Sequence, residues 1–521
     1  MGDHTMGVGN ILRRSAFNFP DKPALVFGSQ RTSYTELNRR VNCVANSLLD
    51  MGLKKGDRVA VLLHNCPEFI ETYFACAKSG GIFVPINNLL KQKELMQIFE
   101  YINPRFLIFD KEFNEIVQST APESLEFRIV LHDESTALSQ YGDLVGRGDG
   151  AEPNVSVGDD DLVSIILTSG TTGRPKGAMR THRHDLINMM SCALELGIRH
   201  DDRALLLFPF YHVTFADSLR HFLMSNTVVI RRQGGFDPEA VLDLMAAEGV
   251  TTCQFVPTMI NAMLQADSTE KYDLSRFRLL LYAASPMPVE LLKKAMKRFK
   301  CQFCQLYGQT ETGPCTTALR PEDHVLEGSE AQMARLASAG RPIVDYELRI
   351  VNEDGNDVAT GEVGEIIVRS EAMTIGYWGL PEETARTIQE GWLYTGDFGK
   401  FDDERYVYIV DRKHDMIISG GKNIYPREIE EVIYTHGAVL EAAVIGVPDD
   451  YWGESVKAFV VLKNGMKVTE EEIINLCKEN IASYKKPRSV EFIHELPKSP
   501  TGKILKRVIR EQYWQGSEKG V

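Results

Sequence analysis

Thr168-Ser169-Gly170-Thr171-Thr172-Gly173-Arg174-Pro175-Lys176-Gly177 gathers three glycines, four hydroxyls and two cations into one short segment. Glycines let backbone N–H groups come close to an anion, and hydroxyls and an ammonium add donors and charge. This is chemistry for holding phosphate. A Walker loop cannot be placed on it, because Gly-x-x-x-x-Gly-Lys-[Ser/Thr] does not fit the segment, and an ordinary polar surface loop is the plain alternative. A second cluster, Tyr307-Gly308-Gln309-Thr310-Glu311, offers a flat aromatic that can stack on a purine and a carboxylate that can hold Mg²⁺ against phosphates. In Tyr394-Thr395-Gly396-Asp397 the acid sits at a turn after Trp392, where it can accept hydrogen bonds from ribose hydroxyls. Pro497-Lys498-Ser499-Pro500-Thr501-Gly502-Lys503 ends in a lysine on a Pro/Gly-shaped loop, a positive charge suited to negative charge building up during phosphoryl chemistry. Taken singly, the last three also read as a capped turn, a plain turn and a solvated lysine.

Such groups need a scaffold. Leu162 to Leu167 is a β-branched apolar run bounded by turn residues and reads as a buried strand emptying into the Thr168 loop. Gln302 to Leu306 is the strand before Tyr307. Upstream, Tyr34 to Gly52 has helical spacing, Arg58 to Leu63 reads as a strand and Glu68 to Ser79 as a helix. This alternation predicts an α/β layered domain with parallel strands. Gly146 to Asp161 is a polar connector. Residues 340 to 410 change to short strands with glycines and acids, as in a small β-barrel. From about 412 the chain restarts with mixed strands and helices. The expected fold is therefore multi-domain α/β: a large N-terminal domain over 1–411, its barrel-like part at about 340–411, and a small, mobile α+β domain over 412–521.

The bulk numbers narrow the function. A chain of 521 residues with 43% hydrophobic and 25% charged residues suits a soluble protein with more than one core. A net charge of −14 argues against a general nucleic-acid binder. It leaves room for a local basic pocket. No apolar run is long enough for a transmembrane helix, and Met1 to Met6 lacks a secretory pattern. Nine scattered cysteines suggest reduced thiols and a cytoplasmic location. Cys301-Gln302-Phe303-Cys304 spells Cys-x-x-Cys, but no second pair or His cluster supports a metal or redox site, and core packing is expected.

These motifs, in this order and over nearly the whole chain, closely resemble those of the adenylate-forming superfamily, which includes acyl-CoA synthetases, luciferases and adenylation domains. The resemblance implies ATP, Mg²⁺ and coenzyme A as co-reactants and a carboxylic acid as substrate. It places ATP and AMP on Thr168, Ser169, Gly170, Thr171, Thr172, Gly173, Lys176, Ser285, Tyr307, Gly308, Thr310, Asp397, Arg412 and Lys503. Within that set Tyr307 packs on adenine, Thr310 contacts the α-phosphate, Glu311 binds the metal, Asp397 and Arg412 hold the ribose, and Lys503 is the catalytic lysine. It makes Ser419, Gly420 and Gly421 a lining of the CoA channel. Lys485-Lys486-Pro487-Arg488 supplies charge for CoA phosphates or is a solvated run. A hinge is implied at His414, where related proteins often carry Asp or Lys.

The acyl pocket is expected from Phe210-Tyr211-His212-Val213-Thr214 and the helix after it, with Val256-Pro257-Thr258, Ala283-Ala284-Ser285 and the Gly308 region. Its named members are His212, Val213, Phe215, Arg220, Val256, Ala284 and Gly308, and His212 also adjoins the acyl carboxylate. Val213 stands where amino-acid-activating relatives usually carry an aspartate, which argues against an α-amino acid. Phe215, Leu219, Phe222 and Leu223 form one helical stripe. Asp217, Arg220 and His221 then fall on a face that reads as solvated, or else Arg220 or His221 reads a polar far end of the acid. The expected activity is an AMP-forming carboxylate–CoA ligase acting on a medium-chain fatty acid, with dicarboxylic, hydroxy-dicarboxylic, alicyclic or aromatic acids as alternatives. An adenylating enzyme with a carrier-protein or other acceptor, and a silent nucleotide-binding regulator, are the competing functions. A homodimer is one expected assembly.

Overall fold

Helix Tyr34–Asp50 starts where Ser33 accepts a hydrogen bond from the Glu36 backbone N–H, an N-cap that satisfies one of the orphan donors of the first turn. Its apolar positions Leu37, Val41, Val44 and Leu48 are fully buried. Helix Pro67–Ser79 packs beside it, begins with proline and ends at Gly80, whose φ of 79° is the left-handed conformation that stops a helix. Such elements alternate with strands through most of the chain. The computed structural model describes residues 7–132, 139–169, 175–232, 234–266, 271–412, 415–499 and 502–514.

Two large sheets build the first lobe. One has nine strands, with Arg203–Leu206, Thr227–Ile230, Thr252–Phe255, Leu279–Tyr282, Gln302–Gln309 and Pro23–Phe27 all parallel to their neighbours in its middle. The other has seven strands, parallel except for the pair Leu162–Ser169 and Pro175–Thr181, which runs antiparallel. A core containing Leu25, Val228 and Ile230 from the first sheet and Val59, Phe83, Ile108 and Val163 from the second lies between them. Helices Pro238–Glu248, Pro257–Gln265 and Val289–Phe299 supply a second core on the other face of the nine-stranded sheet. The layered α/β expectation holds.

Helix His182–Glu195 is fixed to the strand before it by a buried pair. Arg180 is fully buried, and its Nε donates to Asp185 Oδ1 at 2.5 Å while the Tyr73 hydroxyl donates to Asp185 Oδ2 at 2.6 Å. Removing one partner of such a pair leaves an uncompensated charge and costs about 3–5 kcal/mol.

The stretch expected to be barrel-like is a five-stranded antiparallel sheet. Its order is Glu347–Val351, Gly364–Arg369, Trp392–Phe401, Ile388–Gln389, with Val407–Arg412 also paired to Trp392–Phe401. No pairing among the described residues closes it into a ring. The C-terminal sheet orders Lys422–Ile424, Ile417–Ser419, Gly453–Leu462 and Val439–Asp449, with Ser489–Phe492 also on Gly453–Leu462. Its core is Ile417, Ile429, Ile433, Val444, Val460 and Ile473. The lobes meet through Asp411, which accepts from the Arg427 backbone N–H at 3.1 Å, and through Arg427 Nη1, which donates to the Ile409 carbonyl at 2.7 Å.

The nine cysteines are free thiols. Cys304 is fully buried in its strand, and burial pushes the Cys301 thiol up to about 12. Both sit in or against apolar core, as packing predicts.

Candidate active site

The strand Leu162–Ser169 is buried at Val163, Ser164, Ile165 and Ile166, so its C-terminal end is a rigid platform for the glycine-rich loop. Gly170, Thr171, Thr172 and Gly173 lie outside the described residues, as does the Ser169 side chain. The two flanking residues are placed. Thr168 Oγ1 is 3.5 Å from Glu311 Oε1 and donates to the Lys176 carbonyl at 3.3 Å. Lys176 Nζ lies 2.6 Å from Glu383 Oε2 and 5.3 Å from the centre of the Tyr377 ring. Tyr377 in turn donates its hydroxyl to Glu311 Oε1 at 2.9 Å. Glu311 and Thr310 occupy the turn between strands Gln302–Gln309 and Gly313–Leu319. That turn is tight: a Cβ on Gly308 would lie 2.5 Å from the Gly313 carbonyl oxygen, so only glycine fits.

Asp397 is the best-connected acid of the site. It is 4% exposed, and its Oδ2 accepts from Tyr307 Oη at 2.8 Å and from Gln309 Nε2 at 2.7 Å. Its Oδ1 is 3.3 Å from Arg412 Nε, the two residues facing each other across paired strands. Asp397 does not sit at a turn between elements, as its sequence context suggests. It lies inside the strand Trp392–Phe401, where the register against Gly364–Arg369 shifts and Gly396 takes a φ of 71°. The bulge aims the carboxylate out of the ladder toward Tyr307. Burial pushes the Tyr307 hydroxyl well up, so it remains a donor.

Lys503 comes from the C-terminal lobe into this cluster. Ser499 shapes its loop, with Oγ accepting from the Lys503 N–H at 3.1 Å and its carbonyl accepting from the Gly502 N–H at 2.8 Å. Burial, followed by the Arg412 charge, brings the Lys503 ammonium down to about 8, partly opposed by Asp397 and Asp415. The same proximity acts on His212: burial and then Lys503 lower it to about 4, so its imidazole is neutral at pH 7. His212 Nδ1 is buried with no hydrogen-bond partner among the described residues.

Of the residues expected around the acyl group, Val256 is fully buried and its side chain lies against the Lys503 loop, where Thr258 Oγ1 donates to the Gly502 carbonyl at 3.3 Å. Val213 is 8% exposed. Ala284 is exposed with a φ of 71°, a conformation costing an L-residue about 1–2 kcal/mol, and Ser285 follows it half-buried. Phe215 is 3% exposed and packs edge-on against Phe69 and Tyr73, at 5.2 and 5.3 Å between ring centres. One further correction concerns the helix. The single stripe is broken at Leu219 into Thr214–Ser218 and Arg220–Leu223, so the solvated face does not exist as drawn. Arg220 and His221 are each 2% exposed, and His221 Nδ1 is 3.0 Å from Asn226 Oδ1. The Asp217 side chain lies outside the described residues.

Gly420 and Gly421 form the two-residue turn of a hairpin between Ile417–Ser419 and Lys422–Ile424, both with positive φ, 56° and 75°. A Cβ on Gly420 would meet the Trp452 ring at 2.6 Å, and its N–H donates to the Trp452 carbonyl. Arg488 covers that ring at 4.9 Å. Among the described residues no hydrogen bond, ion pair or ring contact joins this turn to the Asp397–Lys503 cluster. His414 lies outside the described residues.

Tyr377, Gln309, Glu383 and Asp415 were not singled out from the sequence as site residues. Gln309 sits inside a motif that was read, whereas Tyr377 and Glu383 come from a segment far along the chain with no pattern that marks it. A magnesium ion fits the donor set only as a shared ion. Glu311 offers one carboxylate beside the Thr168 hydroxyl, and no cluster of three acidic, His or Cys ligands exists among the described residues. That suits Mg²⁺, which usually takes one or two carboxylates and completes its shell with phosphates and water.

Comparison with known proteins agrees with this geometry. The AMP-binding enzyme family matches residues 12–378, and the AMP-binding enzyme C-terminal domain matches residues 428–503. A feruloyl-CoA synthase of Amycolatopsis sp is 37% identical over 509 residues, 97% of this chain and 99% of that one. A fatty acid–[acyl-carrier-protein] ligase, ScoC of Streptomyces coeruleorubidus, is 35% identical over 96% of this chain and 95% of its own. The crystal structure of the anthranilate CoA ligase AuaEII with anthranoyl-AMP superposes with a TM-score of 0.90 at 28% identity, covering 98% of this chain and 97% of that one. No helix among the described residues is long and apolar enough to cross a membrane. The chain therefore belongs to the AMP-binding enzyme family and is an acid–thiol ligase of the AMP-forming, acyl-CoA synthetase kind.

Proposed function

We propose that this protein activates a carboxylic acid with ATP as an acyl-adenylate and then transfers the acyl group to coenzyme A. The observation that carries the reading is the meeting of Lys503 with Asp397, Arg412 and His212 in one half-buried centre formed by both lobes. In the first step a carboxylate oxygen attacks the α-phosphorus, the P–O bond to pyrophosphate breaks, and a mixed anhydride forms. Negative charge grows on the phosphate oxygens, and a half-buried ammonium from Lys503 is worth more there than in water. Asp397 and Arg412 hold the ribose, Tyr307 packs on the base, and Thr310 and the Thr168–Lys176 loop hold the phosphates. Glu311 would hold a magnesium ion whose chemistry is to neutralise the β- and γ-phosphate charge. His212, neutral and with Nδ1 unpartnered among the described residues, is placed to hydrogen-bond the acid rather than to pair with its charge.

In the second step the CoA thiolate attacks the acyl carbon and AMP leaves. One pocket cannot present Lys503 and the CoA channel together, so the C-terminal lobe turns about His414 to bring in Ser419, Gly420 and Gly421. Arg488 and Trp452 beside that turn offer a cation and a flat ring to the nucleotide end of CoA.

For the acid, the reading favours a compact apolar body, aromatic or medium-chain. Phe210, Val213 and Phe215 are apolar and buried around His212, and the relatives named for feruloyl and anthranoyl groups act on aromatic acids. The 35% identity to ScoC keeps a carrier-protein thiol as the competing acceptor. ATP-dependent pyrophosphate release across fatty, dicarboxylic, benzoic, cinnamic and alicyclic acids, with and without CoA, tests all of this. Turnover that requires CoA and yields AMP and a thioester is the expected result. Release indifferent to CoA assigns another acceptor, and silence with every acid overturns the acid class proposed here.

A further inference from the structure

A cleft of about 430 Å³ lies away from the catalytic centre, between the helix Val289–Phe299 of the large lobe and the C-terminal lobe at Tyr434, Leu440 and Lys463. Its size is that of a small-molecule site. Its charge runs against the rest of the molecule. Lys294, Lys297 and Arg298 from one side and Lys463 from the other give four cations, whereas the whole chain carries −14. Among the described residues Glu290 is the one carboxylate lining it, and its Oε1 is held by Lys293 at 2.9 Å. Among the described residues neither Lys294, Lys297 nor Lys463 forms an ion pair. Lys463 donates to the Gly437 carbonyl at 2.6 Å, which fixes its ammonium at the rim of the cleft. Burial and then the facing Lys294 lower the Lys463 ammonium, so the two lobes meet here with like charges opposed.

Closing two lobes on Lys294, Lys297 and Lys463, unpaired among the described residues, is unfavourable unless something anionic sits between them. The spacing of Lys294, Lys297 and Arg298 along one helix puts three donors on one face over about one turn. That is a match for a chain of phosphates rather than a single carboxylate. The cleft also has an apolar floor from Leu264, Leu291 and Leu440.

We propose that this interlobe cleft binds a polyphosphate group, inorganic or carried by a nucleotide, and thereby holds the lobe arrangement in which Lys503 is in the catalytic centre. The site uses residues of both lobes, so it exists as a whole in this arrangement alone. A ligand shifts a two-state equilibrium by its differential affinity. At ten times its dissociation constant such a ligand would deplete the other arrangement about tenfold. The consequence is selective: acyl-adenylate formation continues, while transfer to CoA, which requires the other arrangement under the reading above, slows.

The test uses the full-length enzyme saturated with AMP, so that the nucleotide site is filled, and inorganic tripolyphosphate as the probe. Calorimetric titration compares wild type with Lys294→Gln/Lys297→Gln, a pair on an exposed face whose loss leaves ATP-dependent pyrophosphate release unchanged. Wild type is expected to bind at least tenfold more tightly than the double variant, and bound tripolyphosphate is expected to slow acyl transfer from preformed adenylate severalfold in wild type alone. A nucleoside triphosphate that binds the cleft more tightly than tripolyphosphate assigns the nucleotide source, and equal affinity assigns the phosphate chain itself. Equal tripolyphosphate affinity in wild type and double variant, or unchanged transfer in a saturated wild type, overturns the proposal. Because the binding arm needs no acid substrate, failure of the ligase reading and failure of this site are read separately.

Discussion

Thr258 Oγ1 donates a hydrogen bond to the Gly502 carbonyl, at 3.3 Å, across the joint between the two lobes. Gly502 has a φ of 80°, and a Cβ there would fall 2.7 Å from Thr258 Oγ1 and 3.1 Å from Val256 Cγ2. The residue before the proposed catalytic lysine is thus the point at which the lysine loop rests on the large lobe. Gly502→Ala adds about 1–2 kcal/mol of backbone strain and a clash confined to this docked state. The expected outcome is a loss of roughly tenfold or more in adenylation, measured as acid-dependent ATP–pyrophosphate exchange, with transfer from preformed adenylate to CoA retained. Equal losses in both half-reactions would show that the contact is not specific to the docked lysine.

Lys503 gives a second expectation, in pH. Its ammonium is lowered to about 8 by burial and by Arg412, against an ordinary value near 10.5. In the free enzyme its reaction with an amine-acylating reagent is expected to rise with pH through a midpoint near 8. Bound ATP brings phosphate charge beside it and favours the ammonium, so the midpoint moves up. Peptide mapping of the labelled lysine against pH, with and without ATP, measures both. A midpoint above 10 in the free enzyme would mean that Lys503 is solvated rather than docked.

Asp397 is a third point of attack. Two neutral donors and one guanidinium converge on it. Asp397→Asn keeps the shape but removes the charge, and its amide nitrogen must face one of these donors. Hydrogen bonds to a charged acceptor contribute about 1.5–3 kcal/mol each. AMP affinity is expected to fall roughly 10- to 100-fold by direct titration, with KM for the acid little changed.

Part of this site was legible because it is written in contiguous residues. The strand Leu162–Ser169 followed by its loop, and the Tyr307–Glu311 turn, are local patterns whose chemistry follows from residue type. What was not legible is what distant segments add. Nothing near Tyr377 or Glu383 announces that they will flank Lys176 and Glu311, because that contact is made by an isolated bridge from Tyr377 to Ala178 and by the helix Pro381–Thr387, both sequence-distant from the loop. The solvated-face reading of Arg220 and His221 fails for a different reason. A helical period carries a face forward only while the helix continues, and here it breaks at Leu219 and turns both side chains inward. Asp397 was placed correctly in order but not in geometry, since a strand bulge and a turn share the same Gly-Asp signature.

Five histidines, of which His182, His184 and His221 are buried and His212 and His324 half-buried, set the acid limit of the fold. His182, His184, His212 and His324 are lowered to about 4, and His221 to about 3, in each case chiefly by burial. Their folded values lie below the unfolded value near 6.5. The unfolded chain therefore binds more protons between these limits, and stability present above pH 6.5 is lost as pH falls toward 4. Each such proton contributes a slope of up to about 1.4 kcal/mol per pH unit. Urea midpoints are expected to drop steeply over that window. His221→Asn, which keeps a partner for Asn226, should flatten the dependence. A midpoint independent of pH from 6.5 to 4.5 would contradict the burial.

The last expectation concerns Lys176. Its ammonium rests between the Glu383 carboxylate at 2.6 Å and the face of the Tyr377 ring, whose hydroxyl holds Glu311. A lysine committed to Glu383 has part of its charge neutralised before phosphate arrives, and the pair is partly exposed, so its strength is about 1 kcal/mol or less. Glu383→Gln releases the lysine while leaving the Tyr377–Glu311 bond in place. KM for ATP is expected to fall up to about fivefold with kcat unchanged, whereas Lys176→Ala raises KM by roughly tenfold. A rise in KM for Glu383→Gln would instead show that Glu383 orients Lys176 toward the phosphates, and the two variants combined decide it: if Glu383 acts only through Lys176, adding Glu383→Gln to Lys176→Ala changes nothing further.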